Sequence, residues 1–163
     1  MTQMTVLQPG DPFPSLTVAL PGGGALRLPD ALAGRFGVVL YYRGSWCPYC
    51  NAQLSAFQRS LDSLADADIS VVALSVDDEA TTGDLIARHG LRFPVGHSAA
   101  AAIARATGAF VNPGPPYLQS SGFVLDPSGR VIVSVYSSGA IGRLVPQDVI
   151  GLVGYLREHA QAS

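Results

Sequence analysis

Two rhythms of apolar residues alternate along the chain. GVVLYY at Gly37 to Tyr42 and ISVVALSV at Ile69 to Val76 are continuous apolar runs, the mark of strands buried on both faces. Between them Leu54, Phe57, Leu61 and Leu64 recur at three-to-four spacing, which predicts an amphipathic helix running to about Ala65. Asp77 and Asp78 offer an N-cap for a following helix that stops at Gly90. Phe93 to Val95 reads as a short strand, and the alanine-rich segment Ser98 to Ala106 as a helix ending at Gly108. VNPGPPYL, Val111 to Leu118, holds too many prolines for a helix and reads as a rigid loop. Gly122 to Asp126 and Arg130 to Tyr136, joined by the turn DPSG, form a hairpin, and Gln147 to His159 is a final helix started by Pro146. Upstream, in a Pro- and Gly-rich stretch, Thr17 to Leu20 and Ala25 to Leu28 flank PGGG as a further hairpin, within about residues 10–30.

This order predicts an α/β fold with a central mixed sheet flanked by helices and an N-terminal β-hairpin extension. No repeat or charge block divides the chain, so one domain spanning 1–163 is the expectation. Composition agrees: 163 residues at 48% hydrophobic and 13% charged can fill a core. Net charge is -2, and the ten basic residues are all arginine, without a run that would grip phosphate backbones. Nucleic-acid binding is not expected. The N-terminus MTQMTVLQPG has neither a basic n-region nor an apolar h-region, and no stretch approaches a membrane span, so a cytoplasmic protein without a membrane partner is the expectation.

Composition excludes more than it identifies until the two cysteines, Cys47 and Cys50, are placed. A structural disulfide would close a four-residue loop worth about 2 kcal/mol, little for a chain with this much apolar sequence. Zinc wants four ligands, and His89, His97 and His159 are scattered without metal-site spacing, so no metal is expected. A pair of inert core thiols is the remaining structural reading. A redox-active pair explains more. The cysteines fall where a buried strand exits and an amphipathic helix begins, and there backbone N–H groups and the helix dipole favour thiolate over thiol. Pro48 suits the first helical position.

Helical phase places Cys50 on the buried stripe with Leu54 and Phe57, and Cys47 off it at the helix tip. Phase thus predicts an accessible attacker, Cys47, and a shielded resolver, Cys50. Arg43, at the strand exit, is a candidate to hold a thiolate or a polarised oxygen, and Trp46 and Tyr49 to shape the rim. If the strand from Gly122 runs antiparallel to the one ending at Tyr42, the loop Tyr136 to Arg143 lands beside the cysteines. Ser137, Ser138 and Arg143 then become candidate polar neighbours, together with Pro116, Tyr117 and Ser120 from the preceding segment.

WCPYC joins the tryptophan that precedes the thioredoxin motif to the CPYC of glutaredoxins. The segment YYRGSWCPYCNAQL resembles the redoxin branch of the alkyl hydroperoxide reductase/thiol-specific antioxidant (AhpC/TSA), or peroxiredoxin-like, family. The likeness extends from GDPFPSL at Gly10 to Leu16 through GFVLDPSGRV at Gly122 to Val131. It implies a thioredoxin-like fold and a thiol-dependent peroxidase that reduces hydrogen peroxide or organic hydroperoxides through a Cys47/Cys50 dithiol–disulfide cycle. It implies no cofactor beyond the cysteine pair, and an external reductant of the thioredoxin, glutaredoxin or low-molecular-weight-thiol type. A homodimer is compatible with it. Laid on the family pattern P-x-x-x-T-x-x-C, Cys50 takes the peroxidatic position, Cys47 that of the threonine and Arg43 that of the proline. Alignment therefore favours Cys50 as attacker where helical phase favours Cys47. The place where thioredoxin-fold proteins carry a cis-proline holds Ser120 or a neighbour. A general thiol–disulfide oxidoreductase and a non-enzymatic redox-sensing module are the alternative functions.

Overall fold

The structure, a computed structural model, describes residues 5–160. The first four and last three residues of the expected single domain lie outside the described residues. Five strands form one sheet in the spatial order Val95–Gly96, Ile69–Leu74, Phe36–Tyr41, Ser121–Leu125 and Val131–Tyr136. At its centre β3 (Phe36–Tyr41) runs parallel to β4 (Ile69–Leu74), which carries the short β5 (Val95–Gly96) on its other edge. On the opposite side β3 pairs antiparallel with β8 (Ser121–Leu125), from Gly37 against Leu125 to Tyr41 against Ser121, and β9 (Val131–Tyr136) closes the sheet. This is the mixed sheet that the apolar pattern predicts.

Alternation along β3 sends Val38 and Leu40 to one face and Val39 and Tyr41 to the other, and each face has its own core. Leu54 and Phe57 of α1 (Pro48–Arg59), Leu85 of α3 (Glu79–His89) and Val149 and Val153 of α5 (Pro146–Ala160) cover the first. The second is covered by Ala104 of α4 (Ala101–Thr107) and by Leu16, Val18 and Leu28 of the hairpin β1 (Leu16–Ala19) and β2 (Ala25–Leu28). The hairpin is thus one cover of the sheet. Its turn needs Gly22, Gly23 and Gly24, all with φ between +82° and +96°, where a side chain would be strained.

Two segments depart from the pattern. The helix expected to reach Ala65 bends at Ser60, whose ψ of 7° lies outside the α range, and restarts as α2 (Leu61–Asp66). The bend keeps Leu64 fully buried in the same core as Leu54 and Phe57. The proline-rich segment is also no loop: Val111–Pro113 (β6) pairs antiparallel with Pro116–Leu118 (β7), Val111 opposite Leu118. Its prolines fit because an isolated two-stranded ribbon has outward edges where a missing N–H leaves nothing unpaired. Cis peptides join Leu28 to Pro29 and Gly114 to Pro115.

Candidate active site

The exit of β3 and the start of α1 put the cysteines at the end of the sheet. Cys47 is the N-cap of α1, with Pro48 in its first turn, and the Cys50 N–H donates to the Cys47 sulfur at 3.3 Å. A helix start normally takes an oxygen in this role; here a sulfur fills it. The Cys50 sulfur accepts from the Arg43 N–H at 3.3 Å.

Two guanidinium groups complete the setting. Arg43 Nη1 lies 3.8 Å from the Cys47 sulfur, and Nη2 donates to the Tyr117 hydroxyl at 3.1 Å. The same guanidinium carbon stands 5.0 Å from the Trp46 ring centre and 5.3 Å from that of Tyr117, and the two rings meet edge to face. Arg143 Nη2 is 3.3 Å from the Cys50 sulfur and 3.7 Å from that of Cys47. Its fork is fixed by the Ala140 carbonyl, by Ser120 Oγ at 3.0 Å and by Gln53 Oε1 at 3.2 Å.

These contacts separate the two thiols. Burial alone would push Cys47 up, but hydrogen bonds from the Cys50 side chain and backbone and from Arg43, with the charge of Arg143, outweigh it, and its pKa falls below the ordinary thiol value. Burial pushes Cys50 up, and holding its proton toward Cys47 adds to the rise. Deprotonation is thereby favoured at the Cys47 sulfur over that of Cys50.

Of the residues named from sequence, Arg43 and Arg143 contact the sulfurs themselves, while Tyr117 joins them through Arg43 and Ser120 through Arg143. Trp46 is 55% exposed against Arg43 and Tyr117, and Tyr49 of α1 is 52% exposed. Four expectations need correction. Cys47 is as fully buried as Cys50, because the neighbours that stabilise its charge also cover it. Ser138 is exposed on its loop. Ser137 is buried, but its hydroxyl bonds the Gly139 and Ile141 carbonyls and so shapes the loop that carries Arg143. Pro116 serves the β6–β7 ribbon, opposite Pro113.

Gln53 and Asp77 were not anticipated. Gln53 lies three residues after Cys50 on the same face of α1, and besides accepting from Arg143 it donates to the Leu144 carbonyl at 3.0 Å. A glutamine on a buried stripe was the available signal. Asp77 accepts from the Ser45 N–H at 2.8 Å, tying the end of β4 to the loop before Cys47. Burial raises its pKa.

The AhpC/TSA family model matches residues 9–134. The chain belongs to the AhpC/TSA family. The provisionally named peroxiredoxin Rv2521 of Mycobacterium tuberculosis (strain H37Rv) is 28% identical over 152 residues, covering 88% of this chain and 94% of that protein. Among solved structures, a mutant of peroxiredoxin 6 of Arenicola marina superposes with a TM-score of 0.81 at 19% identity, covering 95% of this chain and 76% of that one. Mycobacterium tuberculosis AhpC gives 0.79 at 21% identity, covering 95% and 96%. These two likenesses bear on the fold, which is thioredoxin-like. Within the AhpC/TSA family the chain is an oxidoreductase, a thiol peroxidase working through cysteine. Among the described residues no cluster of three or more His, Cys, Asp or Glu is placed to hold a metal ion. No helix there is long and apolar enough to cross a membrane.

Proposed function

We propose that Cys47 is the attacking thiolate and Cys50 the resolving thiol. The observation that carries this is the gathering of donors on the Cys47 sulfur: the Cys50 N–H and side chain, Arg43 and Arg143. The thiolate attacks the terminal oxygen of a peroxide, the O–O bond breaks, and water or an alcohol leaves. The resulting sulfenic acid condenses with the Cys50 thiol, releasing water and forming a disulfide. A thioredoxin-, glutaredoxin- or low-molecular-weight-thiol-type reductant restores the pair by thiol–disulfide exchange, in a reducing compartment such as the cytoplasm. The site needs no cofactor for this cycle, because both electrons come from the dithiol.

Organic hydroperoxides suit the surroundings. An apolar groove of about 230 Å³ is lined by Tyr49, Ala52 and Ala56 of α1 and by Leu144 and Val145, with Gln53 and Arg143 also in its wall. An alkyl group lying there would leave its peroxide beside the guanidinium that faces both sulfurs.

Cys50 as attacker is the second reading, favoured by the shorter Arg143 contact to its sulfur, 3.3 Å against 3.7 Å. Rapid mixing with peroxide and trapping of the sulfenic acid decide between them. The first reading expects fast sulfenic acid formation in Cys50→Ser and not in Cys47→Ser, the second the reverse. Rates no better than a free thiol in both single variants and the wild type, combined with fast turnover of a model disulfide, would instead make the chain a general thiol–disulfide oxidoreductase.

A further inference from the structure

We propose that Tyr117 is the general acid of the peroxidase step, delivering the proton that the departing oxygen needs. The inference rests on Cys47 as the attacking thiolate. Arg43 places the two groups on one fork, with Nη1 toward the Cys47 sulfur and Nη2 on the Tyr117 hydroxyl. The tyrosine oxygen accepts from Arg43, so its own O–H is free to donate, and among the described residues no acceptor takes it. The ring is held where it is by the edge-to-face contact with Trp46, 5.0 Å between centres, and by the guanidinium over its face. Arg43 Nε is buried without a partner, so the guanidinium is committed at its outer two nitrogens.

Attack on a peroxide has a proton to place. As the sulfur–oxygen bond forms and the O–O bond breaks, the attacked oxygen keeps its hydrogen and becomes the sulfenic acid. The other oxygen leaves as alkoxide or hydroxide, a poor leaving group unless protonated as it departs. Tyr117 transfers its proton to that oxygen, giving alcohol or water, and the phenolate left behind is paired with Arg43 until water reprotonates it. Sulfur is oxidised by two electrons and the peroxide oxygens are reduced by two, so the step balances without another reactant. The cation that favours the thiolate before attack thus favours the phenolate after it.

Tyr117→Phe tests this, because it removes the hydroxyl and keeps the ring on Trp46 and Arg43. Single-turnover oxidation is followed with hydrogen peroxide, tert-butyl hydroperoxide and peracetic acid, and the thiolate is titrated by its ultraviolet absorbance. A positioned acid contributes about 10²-fold or more. The variant is expected to lose about that factor with hydrogen peroxide and the alkyl hydroperoxide. It should hold near the wild-type rate with peracetic acid, whose carboxylate leaves without help, and keep the same thiolate titration. Equal losses with all three oxidants, or no loss with any, would overturn the assignment while leaving the peroxidase reading intact. A wild type without a fast phase would overturn that reading and this step together. A fast phase that survives Cys47→Ser would remove the attacking sulfur from Arg43's fork, and the proposal with it.

Discussion

Arg143 joins more of the site than any other side chain: its guanidinium spans Ala140, Ser120, Gln53 and both sulfurs. The fork is rigid and planar, so one orientation satisfies all five partners, and a lysine could satisfy only some of them. Gln53 is the positioning residue, since it holds both the guanidinium and the carbonyl of Leu144 next to it. Arg143→Gln loses both the charge and the fork. Its Cys47 pKa should move up toward the ordinary thiol value, and oxidation by peroxide near neutral pH should slow by about tenfold, the worth of one charge-assisted hydrogen bond. Absorbance titration of the thiolate and stopped-flow oxidation read the two effects. An unchanged titration would show that Arg143 does not set the thiolate's stability.

At the scale of elements, α3 carries both of its end signals in the sequence. Asp78 caps it by accepting from the Thr81 N–H at 2.8 Å, and Gly90 ends it in the left-handed region with φ +60°. A Cβ on Gly90 would meet nothing within 4 Å, so Gly90→Ala isolates the backbone cost. It should destabilise the protein by about 1 kcal/mol, seen as a lower denaturation midpoint at unchanged m-value. No loss would mean that the turn relaxes out of the left-handed conformation. Signals of this local kind made most of the fold legible: the apolar runs gave β3 and β4, and the turn residues gave both flanking hairpins and the end of α3. The β6–β7 ribbon was not legible, because its prolines speak locally against a strand while its pairing is decided by the partner across the turn. The bend at Ser60 was hidden for a similar reason, as a leucine stripe looks the same on one helix or two. In the site, the cysteine pair and Arg143 followed from spacing and topology. Asp77 and Asp78 were indistinguishable as caps until the fold turned Asp77 toward Ser45. Whether Cys47 is covered also depends on side chains as far away as Arg143, which chain order alone does not position.

For the molecule as a whole, the opposed thiol shifts couple the redox state to folding stability. In the unfolded chain both thiols titrate near the ordinary value of about 8.5. Cys47 is depressed in the folded protein. Between its folded pKa and about 8.5 the unfolded chain therefore binds more protons, and stability rises with pH. Cys50 is raised, so from about 8.5 up to its folded pKa the native state keeps a proton that the unfolded chain has lost, and stability falls again. The disulfide form has neither thiol to titrate. Asp77, raised by burial, and Asp78, lowered by its cap bonds, shift stability in both forms alike and cancel in the comparison. The stability of the reduced protein minus that of the oxidised protein should then climb from acid toward a maximum near pH 8.5 and decline beyond it. Paired denaturant titrations of the two forms across this range measure it. A flat difference would contradict the division between the thiols, and a decline with no preceding climb would assign the depressed pKa to neither cysteine. Because the same protons are released or taken up when the disulfide is reduced, the climb also marks the pH range in which the folded dithiol gains most from holding one sulfur as thiolate beside Arg43 and Arg143.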